Sequence, residues 1–293
     1  MIKLITSFFL ILSTTLIYSQ EKITDQINIP FTLSEHGYII IPVTINGIEG
    51  KYVFDTGAGI NLLFKKSADK IKDLEKTEHF YTGHRATGEG LEIDLWKTKS
   101  LEIQDFKVDN EIFGILDIDF ELDGLISLAM FKDKQITIDF KNKILSIESK
   151  KSLKKLLKNE DFEIPIQISN DRDISIDISM KVILDNKLSL DVVLDSGAGY
   201  DVYRFNSRFM KSLEIDSAQV KKIYKPSYFK PGSGNNFFIT EVSEFSDASK
   251  NVSEKNFRAI FIEGLIYEGI MSINWIGEKI TIDIPNKRLI VKK

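Results

Sequence analysis

The chain contains no cysteine. That absence excludes disulfides, thiolate metal sites, a cysteine nucleophile and a lipid-modified N-terminal cysteine together. Histidine is nearly as scarce: the three present, His36, His79 and His84, show no zinc-ligand spacing. There is no basic excess, since 39 Lys and Arg stand against 43 Asp and Glu for a formal charge of −4. A nucleic-acid partner is therefore not expected, because it calls for a basic footprint. The Gly-x-Ser-x-Gly elbow of a serine hydrolase is missing as well. After residue 20 no run is long and apolar enough to span a bilayer.

What is present is a globular composition, 43% hydrophobic and 28% charged, over 293 residues, enough for two ordinary domains. Residues 1–20 differ from the rest. Lys3 is their only charge, Leu4 to Tyr18 is apolar apart from hydroxyl residues, and Ser19-Gln20 opens the polar chain. These are the three regions of a secretory signal, too short for a span of ~20 residues. The expectation is an exported protein, periplasmic or secreted, with no stable membrane insertion once the signal is removed.

The remainder repeats itself once. Lys51-Tyr-Val-Phe-Asp-Thr-Gly-Ala-Gly-Ile60 matches Asp191-Val-Val-Leu-Asp-Ser-Gly-Ala-Gly-Tyr200, with the aspartates 140 positions apart. Asp123-Gly-Leu-Ile-Ser-Leu128 matches Glu268-Gly-Ile-Met-Ser-Ile273, with the glycines 145 apart. Ile136-Thr-Ile-Asp-Phe140 matches Ile280-Thr-Ile-Asp-Ile284. Three blocks in one order and nearly one register indicate an internal duplication. The expected lobes are residues 35–148 and 162–293. Residues 149–161 form a basic linker whose leucines 153, 156 and 157 share a helical face, with Ser152 as N-cap.

Both lobes read as mainly β. Tyr38 to Ile45 is apolar and β-branched, and Asn46-Gly47 supplies a hairpin turn. Ile174 to Met180 alternates with period two, and Asp185-Asn186 turns the chain toward Leu188 to Leu194. Short helices are expected at 67–74 and 207–213. Many short strands with turn signals suggest small barrels.

Each repeated aspartate ends an apolar strand and opens a glycine-rich turn. A carboxylate there needs a partner. Gly57 and Gly197 permit close backbone approach. The hydroxyls of Thr56 and Ser196 can reach across to the opposite lobe. If the lobes are related by a pseudo-twofold axis, Asp55 and Asp195 meet on it. Two carboxylates in contact cannot both ionise easily, so the pair holds one proton and can activate one water.

These turns, each followed by a hydrophobic-Gly block 69 or 74 residues later, resemble those of clan AA aspartic proteases. Lobes of this size look like retropepsins fused in tandem, and the match is to the retropepsin-like family exported by bacteria of the Bacteroidetes type. The resemblance implies two homologous retropepsin- or pepsin-like closed β-barrel lobes with an active-site cleft between them. It implies aspartic endopeptidase activity on a polypeptide substrate, without metal or cofactor. It gives Asp55 and Asp195 the catalytic role, and Thr56, Gly57, Ala58, Ser196, Gly197 and Ala198 a supporting one. A single chain holding both half-sites suffices as a pseudo-twofold monomer. The family's flap falls, by position, at Thr87, Gly88 and Gly90 or at Gly232 and Gly234. No C-terminal PDZ domain is expected before the final Lys293.

Two departures stand out. The last glycine of the family's downstream block is Ser127 here, and Ser272 in the second copy. These twin changes keep open an alternative function, a catalytically silent peptide- or ligand-binding module on the same scaffold, although the loss of an aspartate that would support it is not seen, since Asp55 and Asp195 are both present. The second departure is from the pepsin branch, where a serine often follows D-T-G. Ala58 and Ala198 lack its hydroxyl, and one fewer hydrogen bond to the ionised form leaves the pair's pKa higher. A mildly acidic to neutral optimum follows. The acidic run Asp117, Asp119, Glu121 and Asp123 lacks the glycine and terminal glutamate of a calcium loop and reads as solvated.

Overall fold

A computed structural model describes residues 26–293; the expected signal segment, residues 1–20, lies outside them. The described chain is mainly β and divides into three sheets. Among the described residues no helix is long and apolar enough to cross a membrane.

The hydrophobic alternation decides which face of each strand is buried. In Ile39–Ile45, residues 39, 41, 43 and 45 are buried and the intervening ones half-buried, as period two dictates. The turn after it places Asn46 at φ 47° and Gly47 at φ 80°. Both residues are left-handed, the geometry that matches the twist of a two-residue hairpin. Asp185 and Asn186 repeat it at φ 53° and 54°.

A ten-stranded sheet is built from residues 32–126. Its order is Glu75–His84, Gly90–Lys97, Ile112–Leu116, Leu62–Phe64, Gly124–Ile126, Ile48–Phe54, Ile39–Ile45, Ser100–Ile103, Phe106–Asp109, with Thr32–Leu33 paired to Ile39–Ile45. An eight-stranded sheet is built from residues 167–271. Its order is Gln167–Asp171, Ser175–Leu184, Leu188–Leu194, Gly269–Met271, Tyr203–Asn206, Ser253–Ile262, Gly234–Asp247, Lys221–Pro226. Within it Ser175–Leu184 also pairs with Gly234–Asp247.

One local pattern occurs in both sheets. Gly124–Ile126 lies parallel to Ile48–Phe54 and antiparallel to Leu62–Phe64. Gly269–Met271 lies parallel to Leu188–Leu194 and antiparallel to Tyr203–Asn206. The carboxylates of Asp123 and Glu268 explain the leading acid of that block. Each accepts a backbone N–H at 2.7 Å, from Lys51 and Asp191 respectively, and so anchors the strand that leads to Asp55 or Asp195. Asp123 also accepts from the Ser67 hydroxyl. The glycine that follows is sterically required in the first copy, where a Cβ on Gly124 would lie 2.0 Å from the Leu62 carbonyl oxygen.

The third sheet has six antiparallel strands: Ile27–Pro30, Ile144–Ile147, Gln135–Asp139, Lys279–Asp283, Arg288–Lys292 and Phe162–Pro165. It draws three strands from each half of the chain. The two Ile-Thr-Ile-Asp repeats pair with each other at its centre, Thr137 opposite Thr281, and the two buried hydroxyls share a hydrogen bond of 2.7 Å. Residues 27–30 and 32–33, ahead of the expected start at residue 35, are thus strands.

The helices depart from expectation in detail. The segment expected to be helical over 67–74 is helical over Lys65–Ala68 only. Beyond it the bonds tighten to Lys70 N–H with the Ser67 carbonyl and Ile71 N–H with the Ala68 carbonyl, and Asp73 turns left-handed at φ 60°. The 207–213 helix is two 3-10 turns, Ser207–Phe209 and Lys211–Leu213. The linker helix spans Lys150–Leu156, but its N-cap is Ser149 and not Ser152. Ser152 stands at the third helical position and closes a capping box, returning its hydroxyl to the Ser149 N–H at 2.9 Å.

Candidate active site

Asp55 and Asp195 follow directly on the strands Ile48–Phe54 and Leu188–Leu194. Their backbone N–H groups donate to Ile126 O at 2.9 Å and Met271 O at 2.8 Å, so each turn is pinned by the parallel strand beside it. The structure brings the two turns together. Thr56 N–H donates to Ser196 Oγ at 3.0 Å and Ser196 N–H donates to Thr56 Oγ1 at 3.0 Å. The Thr56 hydroxyl donates to Leu194 O at 2.7 Å and the Ser196 hydroxyl to Phe54 O at 2.8 Å. Four reciprocal bonds, all buried, fix the separation of the strand ends that carry the carboxylates.

The glycines set how closely the acids approach. A Cβ on Gly57 would lie 2.5 Å from the Asp195 carboxyl carbon, and one on Gly197 would lie 2.3 Å from that of Asp55. Each carboxylate thus packs on the opposite turn where only hydrogen leaves room. Gly57 N–H and Ala58 N–H donate to Asp55 Oδ1 at 2.9 and 3.1 Å. The second turn is not equivalent: residues 196–198 coil into a 3-10 turn and Ala198 N–H bonds back to the Asp195 carbonyl at 3.3 Å. Asp195 Oδ1 is buried with no partner among the described residues.

Both acids are held above the ordinary carboxylate range. Burial raises Asp55 most, and the charge of Asp195 adds to it, against the Gly57 and Ala58 N–H groups. Burial also raises Asp195, opposed by the positive charge of Arg204 and by its bond with Asp55. The pair retains a proton well into the range where a free aspartate has lost it.

Ser127 and Ser272 are fully buried and hydrogen-bonded. Ser127 N–H donates to Asn61 Oδ1 at 2.8 Å, the Ser127 hydroxyl faces the same oxygen at 3.2 Å, and Ala129 N–H donates to Ser127 Oγ at 3.2 Å. Ser272 Oγ accepts from Val202 N–H at 3.0 Å. Each hydroxyl therefore serves backbone groups that a glycine would leave to other partners. Asn61 passes the network on to Glu111 at 2.8 Å, and burial pushes the Glu111 carboxyl up to about 7.

The acids open into a cleft of about 690 Å³ lined by both large sheets, from Leu62 and Leu125 on one side to Val193 and Ile270 on the other. The hairpin of Glu75–His84 and Gly90–Lys97 forms one wall. Thr87 and Gly88 stand at its tip, with Gly88 left-handed at φ 87°, and Gly90 begins the return strand. The hairpin of Lys221–Pro226 and Gly234–Asp247 approaches from the other half. Gly232 turns at φ 80° in its loop and Gly234 opens its long strand, where a Cβ would lie 2.4 Å from Lys225 O. The tips meet. Ser227 Oγ donates to Glu89 at 2.6 Å, the Arg85 guanidinium lies 4.6 Å over the Phe229 ring, and Ile266 N–H donates to Ala86 O at 3.0 Å. Within the cleft Tyr81 donates its phenol to Ser175 Oγ at 3.0 Å.

A family model described as aspartyl protease matches residues 41–130. The chain is similar to aspartyl proteases over that range. The match holds Asp55, Thr56, the Gly124 block and the hairpin tip at Thr87, and it supports a protease-like function and a peptidase class of hydrolase. Asp195 lies outside it. No curated protein sequence matches the chain.

Sequence reasoning missed Asn61, Glu111, Tyr81, Tyr267 and Asp177. Tyr267 and Asp177 line the cleft. Asp177 carried a signal in retrospect, as the acidic residue inside the alternating run Ile174 to Met180.

Proposed function

We propose that this protein is an aspartic endopeptidase in which Asp55 and Asp195 activate a single water. The observation that carries the reading is the pair of carboxylates on two cross-bonded turns, each packed on the other's glycine, lining a cleft of about 690 Å³. The pair shares one proton. Its ionised member takes a proton from the water, whose oxygen adds to the scissile carbonyl carbon while the protonated member gives its proton to the carbonyl oxygen. The resulting diol collapses as the acid that took the water's proton gives it to the amide nitrogen and one diol hydroxyl returns its proton to the other acid. The C–N bond breaks, and the acids again hold one proton between them. Neither step is assigned to one named aspartate, because the two titrate as a unit.

In this reading the two large sheets are the barrel-like lobes of a duplicated chain related by a pseudo-twofold axis, and a monomer is complete. The hairpin over the cleft is the flap, which excludes water and positions the peptide. Export places the enzyme among extracellular or periplasmic polypeptides. The hydrogen-bonded Ser127 and Ser272 favour catalysis over a silent binding module, since neither serine leaves an orphaned group beneath the acids.

The test is cleavage of an unfolded protein mixture by residues 21–293 between pH 3 and pH 8, with Asp55→Asn and Asp195→Asn alongside. The expected result is a mildly acidic to neutral optimum, inhibition by a statine-type analogue, and loss of cleavage in both variants. A folded wild type that cleaves nothing, or a variant that still cleaves, refutes the reading.

A further inference from the structure

Asp177 lines the cleft with the central pair, as Asp119 also does, and of these two it is Asp177 that feels the charge of Asp195; the chemistry above does not use it. It sits near the start of Ser175–Leu184, whose last pair with the Asp195 strand is Ser179 opposite Val193. Carrying that register two residues further sets Asp177 opposite Asp195. The same stretch is tied to the first half of the chain: Ile176 N–H donates to Gly59 O at 3.1 Å, and Ser175 accepts from Tyr81. Asp177 is thereby held between the two halves, at the floor of the cleft and beneath the hairpin wall.

Its side chain is half-buried, lines the cleft, and has no hydrogen-bond or ion-pair partner among the described residues. Burial and the nearby charge of Asp195 push its carboxyl up to about 6. Like charges opposite each other on antiparallel strands repel, and a buried carboxylate without a partner is destabilising. Arg204 opposes the charge of Asp195, but among the described residues no cation pairs with Asp177. A cation entering the cleft would offset both.

We propose that Asp177 is a specificity-determining residue that selects a basic side chain, lysine or arginine, next to the scissile bond of the substrate. This rests on the endopeptidase reading. A peptide lying extended across the acids projects side chains alternately to the two walls of the cleft. One whose ammonium or guanidinium reaches Asp177 gains a charge-assisted hydrogen bond in a partly dry site. A neutral side chain of equal length leaves the carboxylate as it is now.

The experiment uses two readouts on the wild type and Asp177→Asn, a substitution that keeps size and removes charge. The first is the cleavage of paired peptides that carry lysine or norleucine at each position flanking the scissile bond. The second is binding of two statine-type pseudopeptides that differ only by lysine against norleucine, by calorimetry at pH 7. The expected result is a preference for lysine of roughly tenfold or more at one position in the wild type, falling to about unity in Asp177→Asn whatever change in turnover the two peptides share. A structural role for Asp177 would change both peptides alike. If the wild type cleaves without preferring lysine, or the preference survives in Asp177→Asn, the proposal is overturned and the peptidase reading stands. If nothing is cleaved but the lysine pseudopeptide still binds more tightly through Asp177, the selection of a basic side chain by Asp177 stands, and the peptidase reading falls together with the scissile-bond position.

Discussion

Replacing Thr56 by valine is the sharpest test of what holds the two acids in place. Valine has nearly the shape of threonine but offers neither donor nor acceptor. Two buried groups lose their partner: the Ser196 N–H, now 3.0 Å from the hydroxyl, and the Leu194 carbonyl, now at 2.7 Å. Thr56 is fully buried, so water does not replace it. Each orphaned group is destabilising by about 1–3 kcal/mol, so the expected loss is roughly 2–6 kcal/mol, a large share of a typical stability of about 5–15 kcal/mol. Thr56→Ser keeps the hydroxyl and removes one methyl, for about 1 kcal/mol. Urea unfolding at pH 6 measures both, and cleavage rates on the folded fraction report whether the acids have moved. Because Thr56 and Ser196 act as one unit, Thr56→Val with Ser196→Ala should be less destabilising than the sum of the single changes. A Thr56→Val protein within about 0.5 kcal/mol of wild type, the range of an ordinary surface substitution, would refute the view that these bonds fasten the site.

Three further outcomes follow. Gly197→Ala forces a methyl against the Asp55 carboxyl carbon, 2.3 Å from its ideal position; the acids must separate, and kcat/KM should fall about a hundredfold or more with the fold retained by circular dichroism. Asp195→Asn should be more stable than wild type at pH 8. The folded pKa of Asp195 lies above its ordinary 3.8, so its ionisation opposes folding as pH rises, and the gap in urea midpoint should close below about pH 4. Glu111→Gln should behave in the same sense, with no effect near pH 4 and stabilisation above the folded value of about 7, while the bond from Asn61 is kept.

Much of this was legible in the residues because the chain states it twice. Asp-Thr-Gly-Ala and Asp-Ser-Gly-Ala appear after apolar strands, and the structure sets them face to face through the hydroxyls of Thr56 and Ser196. The β-branched run of Tyr38 to Ile45 and the Asn46-Gly47 turn depend on local sterics, which is why they could be read directly. Asp177, Asn61 and Glu111 could not be. Their importance comes from neighbours far along the chain, and no local spacing encodes a bond between Asn61 and Ser127 or a wall shared with Tyr81. The mating of the two Ile-Thr-Ile-Asp segments was half visible: the repetition showed, but not that each copy takes the other as its partner. The 67–74 helix was placed too late and too long: the helical turn runs over Lys65–Ala68, and beyond it the bonds tighten at Lys70 and Ile71 before Asp73 turns left-handed.

The central six-stranded sheet gives the covalent join between the halves an unexpected status. Around Thr137 and Thr281 the register sets Ile136 opposite Ile282 and Ile138 opposite Ile280, so the seam reads the same from either side. If the chain were cut within residues 149–161, the halves would still recognise each other through this seam, and the linker would act chiefly by raising their effective concentration. The first half expressed alone would present an unpaired Gln135–Asp139 edge that matches its own copy, Thr137 against Thr137. An orphan edge of that kind seeks a mate. A severed N-terminal half should therefore assemble as a symmetric homodimer with Asp55 contributed twice.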